Sequence, residues 1–272
     1  MRTIPQFIMK RVQGRVLAVV TFLLALTLSL GFMPSNLQRV YAQEENLYLD
    51  GKNGNDENDG TTQETAVKSF EKAKQMATEN PYIEVIYVVD TVPVTGEVSL
   101  DNTNAILMRN PGFSGYLLSI PTGKEATLRN ITIDGGGEND GKTTKSLIYL
   151  QGDLNIEDGT ILENNKANDP TRKSTDIYGG AICSDFGGKE KVINMTGGII
   201  RDNRAYFGGG ICLSSNTTLN MSGGEISNNQ AYSGMTYNGT SYVSGGGIAA
   251  YRSSTINLSG DALITENSSE EI

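Results

Sequence analysis

The chain has 272 residues, and its 31 Asp and Glu outnumber its 22 Lys and Arg, which gives a formal net charge of −9. An acidic surface repels nucleic acid and anionic lipid, so both are excluded as main partners. The chain contains no His, which excludes Ser-His-Asp and Cys-His catalysis and the common His-based metal sites.

Residues 1–42 are predicted to be a secretory signal peptide. They carry five basic residues and no acid, residues 16–33 form an apolar core, Pro34 follows that core, and residues 40–42 (VYA) make a small-residue cleavage site. An uncleaved membrane anchor is the alternative, because the apolar core is near the length that spans a membrane. We expect cleavage, and therefore a secreted or cell-surface protein that meets the membrane only through this export signal.

Residues 43–100 are predicted to form an N-terminal cap made of a strand, a helix and a second strand. Residues 47–50 and 83–89 have the apolar and β-branched character of strands. Between them, residues 65–79 place apolar side chains at helical spacing with charges opposite, and Pro81 ends the pattern. A helix laid over the open end of a stack of strands covers an edge that would otherwise be unpaired.

The polar loop 50–60 offers Asp56 and Asp59 as candidate Ca²⁺ ligands. Calcium loops need alternate oxygen donors and a closing carboxylate, and the EF-hand spacing counted from Asn55 puts Ala66 at the closing position. The EF-hand pattern therefore fails. A looser site that uses Asp56 and Asp59 is weighed against a solvated turn.

Residues 101–272 are predicted to consist of repeats. Residues 219–231 (LNMSGGEISNNQA) repeat residues 193–205 (INMTGGIIRDNRA), and looser copies start at Leu154 and Ile256. A repeat of this length leaves a hydrophobic face that only neighbouring repeats can cover. The sequence stops just after the Asn of a repeat, where another Gly-Gly-Gly-Ile segment is expected, so we expect the array to be incomplete at its C-terminal end.

Each copy has the period of a β-strand. A Gly-rich bend follows a three-residue segment in which apolar residues flank an Asn, at 154–156, 193–195, 219–221 and 256–258. After the bend one residue per copy is expected to point inward, namely Ile161, Ile200, Ile226 and Ile264. The pattern predicts an all-β fold, a parallel β-solenoid with two or three short strands in each turn.

An Asn ends each short strand, at Asn164, Asn203, Asn229 and Asn267. Asn tolerates left-handed backbone angles better than other non-Gly residues, so it is expected to turn the corner. Stacked about 4.8 Å apart in successive turns, the side-chain amides are also expected to bond one another as a ladder.

A second phrase, Gly-Gly-(Ala/Gly)-Ile, stands between the copies at 179–182, 208–211 and 245–248. With the Ile-x-x-Asn segment, it resembles the GGAI and FxxN repeats of polymorphic outer-membrane adhesins and related β-helix surface proteins, with Ile in place of Phe. The start of the chain also resembles secreted pectate-lyase-like proteins. The resemblance implies a right-handed single-stranded parallel β-helix with an N-terminal capping helix and an adhesin-like role. The same fold also carries polysaccharide lyases and hydrolases.

Cys183 and Cys212 hold equivalent places after the second phrase. In adjacent turns their Cα atoms would lie about 4.8 Å apart, which is within disulfide range. Like-facing side chains on parallel strands suit a disulfide poorly, so a bonded pair and a reduced stacked pair both remain open. Two thiols alone do not complete a zinc site.

Glu163 and Asp202 are the second pair of candidate metal ligands. With Glu266 they stand just before the corner Asn, so they are expected to face outward on neighbouring turns, where like charges are destabilising. Arg201, Arg204 or a divalent cation would offset this repulsion, and a solvated face is the alternative. The lyases of the resembling fold bind Ca²⁺ through outward acids of this kind. No catalytic residue and no cofactor is assigned, and Ca²⁺ is the one ion considered.

Two functions are compatible with these patterns. The first is a secreted or cell-surface stalk without catalytic activity, which presents its loops to an extracellular glycan or to a host or matrix surface. The second is a polysaccharide lyase or glycoside hydrolase with a groove along one face of the turns. Outward Asp, Glu, Lys and Arg that converge on one strand face would favour the enzyme, and scattered charges would favour the stalk.

Overall fold

The computed structural model describes residues 45–137, 144–167, 178–232, 235–237, 240–242, 244–251 and 253–270. These ranges consist mostly of β-strands in parallel sheets, with one α-helix. Within them, no helix is long and apolar enough to cross a membrane. The predicted signal peptide, residues 1–42, lies outside the described ranges, as do the last two residues of the chain.

The first elements are strand β1 (Glu45–Asp50), helix α1 (Phe70–Glu79) and strand β2 (Ile83–Asp90). The later strands are short. They are β3 (Val92–Pro93), β4 (Gly96–Val98), β5 (Ile106–Arg109), β6 (Leu118–Ile120), β7 (Glu125–Leu128), β8 (Ile131–Gly137), β9 (Ile148–Leu150), β10 (Asp153–Ile156), β11 (Thr160–Asn165), β12 (Ile182–Ser184), β13 (Lys191–Met195), β14 (Ile199–Arg201), β15 (Arg204–Ala205), β16 (Ile211–Leu213), β17 (Thr217–Met221), β18 (Glu225–Ser227), β19 (Gln230–Tyr232), β20 (Met235–Tyr237), β21 (Thr240–Tyr242), β22 (Ile248–Ala250), β23 (Thr255–Leu258), β24 (Leu263–Thr265) and β25 (Ser268–Glu270).

Three parallel sheets share these strands. Sheet A has the order β1-β2-β5-β8-β11-β14-β18-β24, sheet B the order β3-β6-β9-β12-β16-β22, and sheet C the order β4-β7-β10-β13-β17-β23. From β2 onward the chain enters sheets A, B and C in turn, and each strand pairs with the equivalent strand of the repeats before and after it. The last three repeats add a small sheet D (β15-β19-β25), and β20 and β21 form an antiparallel pair within the longest insert.

Helix α1 is shorter than the sequence predicts, because it begins at Phe70 and not at residue 65. Ser69 is the N-cap, and its side chain accepts the Lys72 N–H at 3.1 Å. Val67 is buried in extended chain instead, as a parallel bridge to Leu49. The helix buries Phe70, Ala73 and Ala77 and contacts β1, the edge strand of sheet A.

The core consists of inward side chains that lie in columns. Each column contains one side chain from each repeat, at the same position of the same sheet. In sheet C, Leu154, Ile193 and Leu219 pair in register and are fully buried. In sheet A the column holds Leu162, Ile200 and Ile226, also fully buried. The period-2 pattern predicted for the repeats is confirmed at these levels.

The predicted inward position of Ile161 is wrong. Ile161 pairs with Ile199 on the outward face, while Leu162 pairs with Ile200 in the core. The bend after Ile156 is one residue longer than the bend after Met195, and a shift of one residue moves a side chain to the other face of a strand.

The sequence assigns one Asn in each repeat both to the corner and to the amide ladder. In the structure these two roles belong to two adjacent residues, which form two separate rows. The residues that turn the corner with positive φ are Asn164 (56°), Asp202 (55°), Asn228 (53°) and Glu266 (54°). The next residue in each repeat forms the amide ladder, namely Asn165, Asn203, Asn229 and Asn267. Asn164 is therefore a corner residue, and the other three predicted residues belong to the ladder.

The predicted ladder is confirmed for that second row. The backbone N–H and Nδ2 of Asn203 donate to Oδ1 of Asn229 at 3.0 and 3.1 Å, and those of Asn229 donate to Oδ1 of Asn267 at 3.0 Å each. Arg109 ends the ladder, because its Nη2 donates to Oδ1 of Asn165 at 3.1 Å. Burial lowers the pKa of Arg109 to about 10.

Candidate functional site

Asp56, a candidate Ca²⁺ ligand, accepts hydrogen bonds from nearby residues of the chain. Its carboxylate accepts the N–H groups of Lys68 and Ser69 at 2.8 Å each and the Ser69 hydroxyl at 2.7 Å. Partial desolvation acts to raise the pKa of Asp56, but the hydrogen bonds from Ser69 and Lys68 outweigh it and lower that pKa. This carboxylate therefore fixes the segment that leads into α1.

Asp59, the second candidate in that loop, is fully exposed. It accepts the Thr61 N–H at 3.1 Å and the Thr61 hydroxyl at 3.0 Å. Hydrogen bonds from Thr65 and Thr61 lower the pKa of Asp59. Within the described ranges no three His, Cys, Asp or Glu side chains are grouped so that they could hold a metal ion, and a Ca²⁺ site at Asp56 and Asp59 stays a prediction.

Glu163 and Asp202 do not stack on neighbouring repeats, so the predicted like-charge pair is wrong. Glu163 pairs in register with Arg201, and both Nε and Nη2 of Arg201 lie 2.7 Å from Glu163 Oε2. Asp202 is the corner residue, 3.8 Å from Arg201 Nε. The hydrogen bond that Arg201 donates to Glu163, and then the negative charge of Glu163, raise the pKa of Arg201. The repulsion that called for a cation is therefore offset by Arg201.

Cys183 and Cys212 pair in register on β12 and β16, and both thiols are buried and are not joined by a disulfide. Burial, and then the neighbouring Cys183, raise the pKa of the Cys212 thiol well above its usual value. Of the two alternatives that the sequence left open, the structure contains the reduced stacked pair. Such thiols are poor nucleophiles and poor metal ligands, because both roles need the thiolate.

An aromatic patch, made of Tyr178, Phe186, Phe207 and Tyr251, has its rings in mutual contact beside these cysteines. The Tyr178 ring lies 4.7 Å from that of Phe186 and 5.2 Å from that of Phe207, and Tyr251 meets Phe186 edge-on at 5.4 Å. Burial and then the Cys212 thiol raise the pKa of Tyr251. Phe186 remains 46% exposed. The patch therefore covers the cysteine row of sheet B and offers aromatic surface to a ligand.

Polar groups lie at the margin of the aromatic patch. The Tyr149 hydroxyl donates to Asp185 Oδ1 at 2.8 Å, and the Tyr149 ring stacks on Tyr116 at 4.6 Å. Lys191 is 1% exposed, and its Nζ donates to two carbonyl oxygens of the loop that carries Phe186. Burial lowers the pKa of Lys191, and the charge of Asp185 acts in the opposite direction. Aromatic faces beside a carboxylate and a hydroxyl suit binding of a polar ligand with apolar faces.

The repeat pattern of the sequence does not predict this patch, although a signal for half of it is present. Tyr178 and Phe207 each stand directly before the Gly-Gly phrase of their repeat, and they bridge each other in parallel. Phe186 and Tyr251 lie in loops after sheet B, where no repeat pattern links them. Aligning the repeats on the Gly-Gly phrase would have found the first pair but not the second.

A shallow groove of about 470 Å³ follows the bends between sheets C and A. We call it the corner groove, and it is lined by Asp158, Gly159, Thr160, Ile161, Gly198, Ile199, Gly224, Glu225, Asp261 and Leu263. Gly198 and Gly224 have φ of 77° and 78°, and a Cβ on Gly224 would lie 2.5 Å from the Gly197 oxygen. Glycine is therefore required at this bend, and its lack of a side chain leaves the groove open.

No family model matches the chain, and neither a curated protein nor a solved structure matches it. Function is therefore inferred from the residues and geometry of the chain itself.

Proposed function

We propose that the chain is a right-handed parallel β-helix that serves as a secreted or cell-surface binding stalk without catalytic activity. The cyclic order of sheets A, B and C supports the solenoid, because a chain that visits three parallel sheets in turn winds into coils. Parallel crossovers are right-handed in nearly all proteins, which supports the handedness. Helix α1, packed on edge strand β1, supports its role as a cap.

The main support for the stalk is that equivalent residues of successive repeats pair in register. Leu154, Ile193 and Leu219 continue one buried column, and Asn203, Asn229 and Asn267 continue one ladder. Each coil is then stabilised by its neighbours, which gives a rigid body with long side surfaces, as in other solenoid binding proteins. Secretion is proposed from residues 1–42.

The aromatic patch is the proposed contact for an extracellular glycan. Phe186 presents an exposed ring, and the Tyr149 hydroxyl and the Asp185 carboxylate supply polar partners at the margin. The acidic chain favours a neutral glycan over a uronate polymer, because like charges repel.

A polysaccharide lyase or glycoside hydrolase is the second candidate, and Lys191 is the observation that favours it. Lyase chemistry needs a base within hydrogen-bond reach of the abstracted proton, and a lysine with a lowered pKa beside an aromatic patch has the required character. Lys191 is buried, however, and donates to the carbonyl oxygens of Gly187 and Lys189. This geometry supports a structural role more than a catalytic one.

Binding and turnover are tested together on purified protein with a panel of neutral and acidic polysaccharides, with and without Ca²⁺. We expect binding to a neutral polysaccharide and no release of unsaturated or reducing sugar ends. Phe186→Ala should abolish binding, while Tyr82→Ala, which removes another exposed ring (43% exposed), should leave it unchanged. Sugar release that Lys191→Met abolishes would contradict the stalk and support the enzyme.

A further inference from the structure

The corner groove combines an aliphatic floor with an acidic rim. Ile161, Ile199, Glu225 and Leu263 form one outward row of sheet A, in register on successive strands. Ile161 and Ile199 are half-buried, and Leu263 is 48% exposed. Asp158, Glu225 and Asp261 also line the groove, and we call their carboxylates the rim. The floor is formed by the three aliphatic side chains of the row, Ile161, Ile199 and Leu263. Ile161, which the sequence assigned to the core, is therefore part of this surface.

The carboxylates of the rim are available to an external cation. In the described part of the chain Asp158, Glu225 and Asp261 take part in no ion pair within 4.0 Å. The charge of Glu225 acts on Arg201, but the guanidinium of Arg201 is bonded at 2.7 Å to Glu163. The rim thus adds to the net negative charge of the chain and attracts positive charge.

We propose that the corner groove docks an extended segment of a partner protein that carries Lys or Arg residues. The long aliphatic stem of such a side chain covers apolar surface while its charged end reaches a carboxylate. The row from Ile161 to Leu263 spans three strand spacings, about 14 Å, which an extended peptide of about four or five residues covers. Because successive side chains alternate, every second residue of the segment faces the floor.

The floor also indicates polypeptide and not glycan as the occupant. None of the residues that line the corner groove is aromatic, whereas stacking on aromatic rings is the usual contact with a sugar face. The corner groove lies at the bends between sheets C and A, and the aromatic patch lies on sheet B. The docking proposal therefore goes beyond the proposed glycan contact and does not depend on it.

The probe is a fluorescent, end-blocked hexapeptide of alternating Lys and Leu, titrated with the full chain by anisotropy at low and at physiological salt. Asp158→Asn with Asp261→Asn should weaken binding roughly fivefold to tenfold, since each exposed ion pair contributes little. Both residues are exposed, so the fold is retained. The control Glu71→Gln with Glu84→Gln removes the same charge elsewhere and should change binding less than about twofold.

A second variant tests the floor, because Leu263→Ser keeps the charge and removes apolar surface. It should also weaken binding of the hexapeptide, while a hexapeptide of alternating Lys and Ser should bind the parent chain poorly. Equal loss in the groove and control pairs would overturn the proposal, since binding would then follow net charge alone. Displacement of the hexapeptide by an oligomer of glucosamine with equal or higher affinity would overturn the choice of a polypeptide.

Discussion

Single side chains hold adjacent repeats together at the corner after sheet A. Nδ2 of Asn229 donates to the carbonyl oxygens of Ile200 and Ser227 at 2.8 and 2.9 Å, and its Oδ1 accepts the Asn203 N–H. One buried amide thus satisfies three backbone groups that belong to two successive repeats. An unpaired buried donor or acceptor costs about 1–3 kcal/mol, so these bonds matter more than their net strength suggests.

Asn229→Ala is therefore expected to lower the free energy of unfolding by about 2–4 kcal/mol, because it leaves several buried groups without partners. Its neighbour provides a matched control. Asn228 is exposed and only turns the corner, with φ of 53°, so Asn228→Gly should change stability by less than about 0.5 kcal/mol. Urea unfolding of the two variants measures both values, and equal losses would contradict the separation of the corner and ladder rows.

The buried Lys191 predicts a pH dependence. Burial lowers its pKa in the folded state below the ordinary value of 10.5, so between these two values the unfolded state binds more protons than the folded state. Stability should therefore rise with pH in that window. In Lys191→Met this contribution should be absent.

The difference between the parent and Lys191→Met unfolding free energies, measured from about pH 8 to 10.5, isolates the effect. The raised pKa values of Tyr149 and Tyr251 act in the opposite direction, but both proteins share them. Parallel pH profiles would show that Lys191 titrates normally in the folded protein.

At the scale of strands, the register of β11 decides which side chains the core contains. Leu162 is fully buried, and Ile161 beside it is half-buried on the outward face. Leu162→Asp should therefore cost several kcal/mol or prevent folding, because it buries an unpaired charge. Ile161→Asp should cost about 1 kcal/mol or less. Thermal melting compares the two variants, and a larger loss for Ile161→Asp would restore the register expected from the sequence.

The sequence predicts the parallel β-strands because the alternation of apolar residues with Asn at 193–195 and 219–221 is regular and undisturbed. The sequence places Ile161 in the core and Asn164 in the ladder row, and both assignments are wrong. In the repeat that starts at Leu154 the bend is one residue longer than in the next repeat. The sequence does not show whether such an extra residue lies in a bend or in a strand. It overextends α1 because Ala66 and Val67 fit helical spacing as well as a bridge to β1. The spacing of apolar residues alone does not reveal that Ser69 caps the helix.

The candidate sites are harder to predict than the strands. Pairing Glu163 with Arg201 requires the register across two repeats, and the aromatic patch requires the positions of loops that have no repeat. The corner groove exists because Gly198 and Gly224 lack side chains, so its signal is an absence of atoms and not a motif.

For the molecule as a whole, the columns of inward side chains mean that every described repeat depends on the repeats beside it. The exposed fractions of Ile256 (39%), Leu258 (55%) and Ile264 (39%), whose counterparts one repeat earlier are buried, fit this dependence. These residues lie on β23 and β24, the edge strands of sheets C and A.

We propose that successive repeats stack as coils of one solenoid, and distances between spin labels provide the direct test. Glu97, Thr127 and Asn257 lie on one outward row of sheet C, which continues in register through Asn155, Asn194 and Asn220. Labels are attached to cysteines at 97 and 257, or at 127 and 257, with Cys183 and Cys212 replaced by Ala. For stacked repeats we expect narrow distance distributions near about 24 Å for the first pair and about 19 Å for the second, which are five and four strand spacings. Equal distances for the two pairs, or broad distributions, would contradict it.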